Sequence, residues 1–131
     1  MSAVVDASVL VAATADSGAE GVWAEKVLRE GNLVAPHLAL VEAANILRRF
    51  ELAGRLSRLE AGEAAQDILL LGLELVPFAP FAERIWELRV NITSYDAWYI
   101  AVAERVELPL ATLDHRLAAA PGTHCRFLLP S

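Results

Sequence analysis

Four carboxylates in this chain stand where carboxylates are uncommon. They are Asp6 in "VVDASVLVA", Glu42 in "LALVEAANILRR", Asp96 in "SYDAWYIAVAE" and Asp114 in "PLATLDHRL". Each has mostly apolar or small neighbours. The other acidic residues, Glu20, Glu25, Glu51 and Glu63 among them, share helix faces with polar groups, the solvated setting of most charges. A carboxylate taken out of water is costly unless it is paired or bound to a cation, and like charges in one pocket need compensation. Hard oxygen ligands without cysteine or an evident histidine partner suit Mg²⁺ or Mn²⁺. Such a cluster is a setting for phosphodiester hydrolysis, in which the cation activates a water and stabilises the leaving oxygen.

Glu42 is the most demanding of the four. It lies inside a predicted helix, with Leu38 and Ile46 at i−4 and i+4 and Asn45 at i+3. Neither Arg48 nor Arg49 has the spacing of an intrahelical ion pair. Two partners remain: an arginine from elsewhere in the fold, or a cation shared with other carboxylates. Asp6, Asp96 and Asp114 have a further option. Asp6 and Asp114 each precede a predicted helix and could cap it. Asp96 lies in a first helical turn, where the macrodipole favours a negative charge.

The elements that must position these groups alternate between strand and helix. "AVV" (3–5) reads as a strand, and a helix follows Asp6. "DSGAEGVWAEKVLREGN" has helical period, with Val22, Trp23, Val27 and Leu28 on one face. "LVAP" is a second strand. A helix then runs to about Ala53, with Gly54 as its stop. The next spans Ser57–Leu71, with Ser57 and Glu60 forming a capping box and Gly72 ending it. "LELVP" is a third strand, "FAERIWELRV" a helix, and "TSYDAWYIAVAERV" a helix capped by Thr93 or Ser94. "LPLATLD" is a fourth strand, "HRLAAAPG" a short helix, and "HCRFLLP" a last strand or tail. This alternation predicts one α/β domain, residues 1–131, with a mostly parallel sheet between helices. Ligands of such sheets sit outside the carboxyl ends of the strands. Asp6 and Asp114 follow two of those ends, Glu42 follows a third by about one turn, and Asp96 opens a helix that can start at the same edge.

Composition narrows the class. No run of about 18 uncharged apolar residues is present, so no membrane-spanning helix is expected. The apolar N-terminus lacks a basic leader region and is broken by Asp6, so it reads as the first strand and helix. The lone Cys125 permits no internal disulfide or cysteine-based zinc site and is expected to be a buried thiol; a cytoplasmic setting fits. A net charge of −6 argues against wholesale electrostatic nucleic-acid binding. Yet ten of the eleven basic residues are arginines, Lys26 being the exception, and arginine suits bidentate phosphate contacts.

Taken in order, "VVDASVLVA", "LVEAANILRR" and "SYDAWYIAVAERVELPLATLDHRL" resemble the PIN-domain ribonucleases, most of all the VapC-type toxins of toxin–antitoxin pairs. The resemblance covers essentially the whole chain and implies a Rossmann-like three-layer α/β/α PIN domain. It implies that Asp6, Glu42, Asp96 and Asp114 bind one or two Mg²⁺ or Mn²⁺ ions. It further implies endonucleolytic cleavage of RNA, often tRNA or rRNA, leaving a 5′-phosphate and a 3′-hydroxyl. Ser8 and Thr112 match small hydroxyl positions that assist the acids. A homodimer held inactive by a cognate antitoxin protein is the usual state of the family.

His115 and Arg116 are candidate phosphate contacts beside Asp114, and Arg48, Arg49, Arg55, Arg58, Arg84, Arg89 and Arg116 could form a phosphate-binding rim. Some arginines, Arg84 or Arg105 for example, could instead pair with glutamates one turn away. Ile68, Leu69, Leu70 and Leu71 could pack in the core, form the dimer or receive the antitoxin. Two rivals fare poorly. A receiver domain needs a phosphoacceptor aspartate after the middle strand and a late lysine, and a DxD phosphatase needs a carboxylate where Ser8 stands. A PIN fold serving as a protein-binding module, or in RNA processing outside toxin–antitoxin systems, is the alternative.

Overall fold

The computed structural model describes all residues, Met1–Ser131. Five strands form one sheet: β1 (Ala3–Val5), β2 (Leu33–Pro36), β3 (Glu74–Val76), β4 (Leu110–Ala111) and β5 (Phe127–Leu128), in the order β3-β2-β1-β4-β5. Every neighbouring pair is parallel, so the sheet is wholly parallel. Ala3, Val4 and Val5 of the central β1 are fully buried, as expected of a parallel strand covered on both faces. Edge strands β3 and β5 are less buried.

Seven helices connect the strands: α1 (Ala7–Ala15), α2 (Ala19–Arg29), α3 (Leu38–Leu52), α4 (Arg58–Leu69), α5 (Ala82–Glu87), α6 (Ser94–Val106) and α7 (His115–Ala118). α1 packs on α2, α3 and α4, while α6 packs on α5 and lies against β1, β2 and β4. The result is the three-layer α/β/α arrangement. Ser57 and Glu60 form the expected capping box on α4, and Thr93 caps α6 by accepting from the Asp96 amide. α1 and α2 meet closely at Gly21, where a Cβ would lie 1.7 Å from the Asp16 carbonyl oxygen. No helix is long and apolar enough to cross a membrane.

Several expected details differ. Val22 is off the buried stripe of α2 and 62% exposed; Gly21, Ala24 and Val27 form that stripe. "FAERIWELRV" divides into a 3₁₀ turn, Ala79–Phe81, with Pro80 at its start, and a short α5 that ends at Glu87. α4 stops at Leu69, burying Ile68 and tucking Leu71 against the core, so only Leu69 and Leu70 of the four apolar residues are exposed. Cys125 is half-buried, and burial, with Glu104 nearby, pushes its thiol up to about 11.

Arg105 makes no one-turn pair with a glutamate, and the one-turn pair of Arg84 is its minor contact. Arg105 lies over the Phe81 ring and donates to the Pro80 carbonyl. The main partner of Arg84 is Glu104, on the neighbouring α6. Its Nε donates to Oε1 at 2.8 Å and its Nη2 to Oε2 at 3.1 Å, while Glu87, three residues on, is a looser contact at 3.9 Å. Arg84 also donates to the Gly122 carbonyl, and Glu104 accepts from the His124 amide. This clamp ties α5, α6 and the segment before β5 together.

Burial alone would raise the Glu104 pKa, but Arg84 and the His124 amide outweigh it and hold the carboxyl below its ordinary value. A depressed carboxyl contributes stability above its unfolded pKa, about 4.3, and loses it as pH falls through the folded value. The Tm gap between wild type and Glu104→Gln should therefore be constant from pH 7 to about 5 and shrink below about pH 4. An equal gap at pH 3 and pH 7 in thermal melts would show that the pair has no ionic contribution.

Candidate active site

The four carboxylates meet at the carboxyl edge of the central strands. Asp6 follows β1, and its amide donates to the Ala111 carbonyl of β4. Glu42 is on the second turn of α3, which leaves the end of β2. Asp96 opens α6, and Asp114 follows β4. Together with Ser8, Asn45, Arg49 and Tyr99 they line one open cleft of about 300 Å³. The parallel sheet accounts for this: consecutive strand ends and the starts of their following helices share an edge.

Asp6 is the deepest, 9% exposed. Its Oδ1 accepts from Ser8 Oγ at 2.5 Å and from the Val9 amide at 3.2 Å, and its Oδ2 accepts from Thr112 Oγ1. The two hydroxyls are themselves fixed: Ser8 Oγ accepts from the Leu113 amide and Thr112 Oγ1 from the Asp114 amide. Ser8 and Thr112 thus couple the β1 end to the β4 end through Asp6. Burial raises the Asp6 pKa, and these hydrogen bonds oppose the rise.

Glu42 is half-buried. Its Oε1 accepts from the Tyr99 hydroxyl at 2.5 Å, and it makes no ion pair with any arginine. Burial raises its pKa, the Tyr99 hydrogen bond opposes that rise, and the charges of Asp96 and Asp6 add to it. Asp96 is raised by burial and then by Asp114, while Thr93 lowers it. Each of these carboxyls therefore feels at least one of the others.

Capping and site geometry prove compatible. Asp6 caps α1 through one oxygen only. Asp114 caps α7 through Oδ1, which accepts from the Arg116 and Leu117 amides, so its other oxygen faces no protein donor. An ionised carboxylate has about four lone-pair directions, and a cap uses one or two of them.

Tyr99 carries no sequence mark that separates it from a core aromatic. It is 1% exposed, the largest fully buried side chain, and three residues from Asp96 on the same helix face. A buried tyrosine needs a partner for its hydroxyl, and that requirement is the only signal in the sequence. His115 and Arg116 are exposed beside Asp114 and do not line the cleft. Among the arginines, Arg49 reaches it; Arg84 is held by Glu104, and Arg89 stacks on Trp86 and donates to that residue's carbonyl.

As placed, no three His, Cys, Asp or Glu side chains are gathered closely enough to share an ion. The donor set nonetheless suits a hard divalent cation. Burial raises the pKa of Asp6, Glu42 and Asp96, neighbouring carboxylates add to the rise at Glu42 and Asp96, and no ion pair neutralises any of the four carboxylates.

Comparison with known proteins agrees with this fold. The PIN domain family model matches residues 3–122. Ribonuclease VapC1 of Mycobacterium tuberculosis is 40% identical over 127 residues, covering 96% of this chain and 96% of its own. The crystal structure of Mycobacterium tuberculosis VapC20, described as a sarcin–ricin loop cleaving toxin, has the same fold, with TM-score 0.69, 21% identity and 92% and 95% of the two chains covered. So does VapBC2 from Rickettsia felis bound to a promoter DNA fragment, with TM-score 0.69, 16% identity and both chains fully covered. A central parallel sheet with four carboxylates at its carboxyl edge, a family match across nearly the whole chain and 40% identity to a VapC ribonuclease together place this protein in the VapC family of PIN-domain ribonucleases.

Proposed function

We propose that the protein is a metal-dependent endoribonuclease, the toxin of a toxin–antitoxin pair, and that Asp6, Glu42, Asp96 and Asp114 are its metal-binding carboxylates. The observation that carries this reading is their convergence in one cleft with Asp6 held by Ser8 and Thr112. Asp6, Asp96 and Asp114 would hold one or two Mg²⁺ or Mn²⁺ ions, and Glu42 would complete the set or orient the attacking water. A bound ion supplies Lewis acidity, lowering the pKa of a water and offsetting negative charge on the leaving oxygen. Ser8 and Thr112 keep the Asp6 carboxylate in one orientation, and Tyr99 does the same for Glu42. Arg49, at the margin of the cleft, would contact phosphate, with His115 and Arg116 as outlying contacts beside Asp114. No histidine pair lines the cleft, which agrees with hydrolysis by water rather than attack by the RNA 2′-hydroxyl.

The partner readings are RNA as substrate, of the tRNA or rRNA kind, and an antitoxin protein. VapC-type resemblance and the likeness to the two-component VapBC2 support the second. The test is cleavage of a total tRNA and rRNA preparation by the purified protein. Cleavage is expected with Mn²⁺ or Mg²⁺, lost in EDTA and restored by excess Mn²⁺. Products should carry 5′-phosphates. Undiminished cleavage in EDTA would remove the metal from the mechanism.

A further inference from the structure

A second groove, of about 390 Å³, continues from the acidic cleft and shares Ser8, Ile46 and Arg49 with it. It runs between α1 and the C-terminal half of α3. Val11, Ala12 and Leu56 supply apolar surface, Arg49 stands at the junction with the cleft, and the Phe50–Arg55 pair lies farther along. Asp16 and Glu20 add acidic groups to its lining.

Two features narrow what such a groove can hold. Neither Arg49 nor Arg55 is in an ion pair, whereas Arg84 is committed to Glu104 and Arg89 to Trp86. Arg55 is exposed, and its guanidinium lies 4.1 Å above the Phe50 ring. One face of that planar group is therefore used by Phe50, leaving the other for a second flat partner. Arginine planes and aromatic rings are surfaces on which unpaired bases stack. A chain passing through the cleft must also continue beyond the phosphate being cut, and this groove is directly continuous with that position. The carboxylates of Asp16 and Glu20 disfavour a further phosphate beside them.

We propose that this groove is the subsite for the nucleotide next to the scissile phosphate of single-stranded RNA, with Arg49 contacting a phosphate and the Arg55–Phe50 pair stacking on the base. The proposal rests on the ribonuclease reading above and names where that substrate lies.

The test is fluorescence anisotropy with a fluorescein-labelled, mixed-sequence RNA dodecamer in EDTA, its integrity checked on a gel. Arg49→Ala should weaken binding about tenfold and reduce the slope of log K against log salt by about 0.7, the single-strand value for one phosphate contact. Arg55→Ala should weaken binding about tenfold through lost stacking. Arg55→Lys keeps the charge but not the plane, and should recover only part of that loss. Arg29→Ala, at the end of α2 and lining neither groove nor cleft, should bind like wild type.

The proposal fails if Arg55→Ala and Arg55→Lys both bind like wild type, the outcome expected if the groove serves a peptide. It also fails if Arg29→Ala loses as much affinity as Arg55→Ala, because binding would then be diffuse charge attraction. The ribonuclease reading is judged separately, by whether wild type cuts RNA in Mn²⁺ and not in EDTA.

Discussion

Asp6→Asn will lower RNA cleavage by about a thousandfold or more, the scale of losing a principal electrostatic group of an active site. It will do so without unfolding the protein. Asp6 is almost completely buried, and all its partners are neutral donors: the Ser8 hydroxyl, the Val9 amide and the Thr112 hydroxyl. Asparagine keeps an oxygen for Ser8 and Val9. Its new NH₂ faces Thr112 Oγ1, a hydroxyl that can turn to accept. The substitution also removes a charge whose burial is unfavourable, the reason the Asp6 pKa is raised. Without added metal, the variant's Tm should equal or exceed that of wild type.

Added Mn²⁺ should separate the two proteins. At a concentration about 100 times Kd, a ligand of the native state stabilises it by about 2.7 kcal/mol. Wild type should show that rise in thermal melts and Asp6→Asn should show little of it. A folded Asp6→Asn protein with wild-type cleavage would mean that the centre of the site is misassigned.

Tyr99→Phe is expected to have the second-largest effect, a loss of about 10- to 100-fold in kcat with KM nearly unchanged. That is the range for removing a hydrogen bond that orients a metal-binding group. Phenylalanine fills the same buried volume. Glu42 is only half-buried and can take water in place of the lost hydroxyl, so the stability change should stay near 1 kcal/mol. A purely structural role for Tyr99 would lower Tm and leave kcat and Mn²⁺ affinity alone. The positioning role lowers both kcat and Mn²⁺ affinity. Unchanged kcat and affinity in Tyr99→Phe would show that Glu42 acts without it.

Much of this site could be read before the fold was known. Glu42 was legible because helix spacing gave it no local partner, and the structure indeed gives it Tyr99 and the fields of Asp96 and Asp6 in place of an arginine. Asp6 and Asp114 were ambiguous between capping and ligation, and each carboxylate has enough lone pairs to cap while leaving others for the cleft. Ser8 and Thr112 were expected near the acids from the family resemblance alone, and both hydroxyls donate to Asp6.

What was missed depended on packing between distant elements. Tyr99 looks like any core aromatic until its hydroxyl is found on Glu42, across the sheet edge on α3. Arg84 does meet Glu87 one turn away, but the α5–α6 contact adds the stronger partner, Glu104, twenty residues on, with two nitrogen–oxygen contacts. Val22 fits a helical face by spacing alone; the closeness of α1 and α2 at Gly21 sets which face of α2 is buried. The groove beside the cleft draws on α1, α3, the loops after each, Glu20 of α2 and Leu113 after β4, so no local motif announces it.

The central claim is that these four carboxylates gather a divalent cation. Mn²⁺ titration of the purified protein, followed by electron paramagnetic resonance of the free ion, tests it most directly. The account predicts saturable uptake of one or two Mn²⁺ per chain by wild type, markedly weakened in Asp6→Asn and in Asp96→Asn. Absence of uptake at millimolar Mn²⁺, or equal uptake by wild type and both variants, would contradict it.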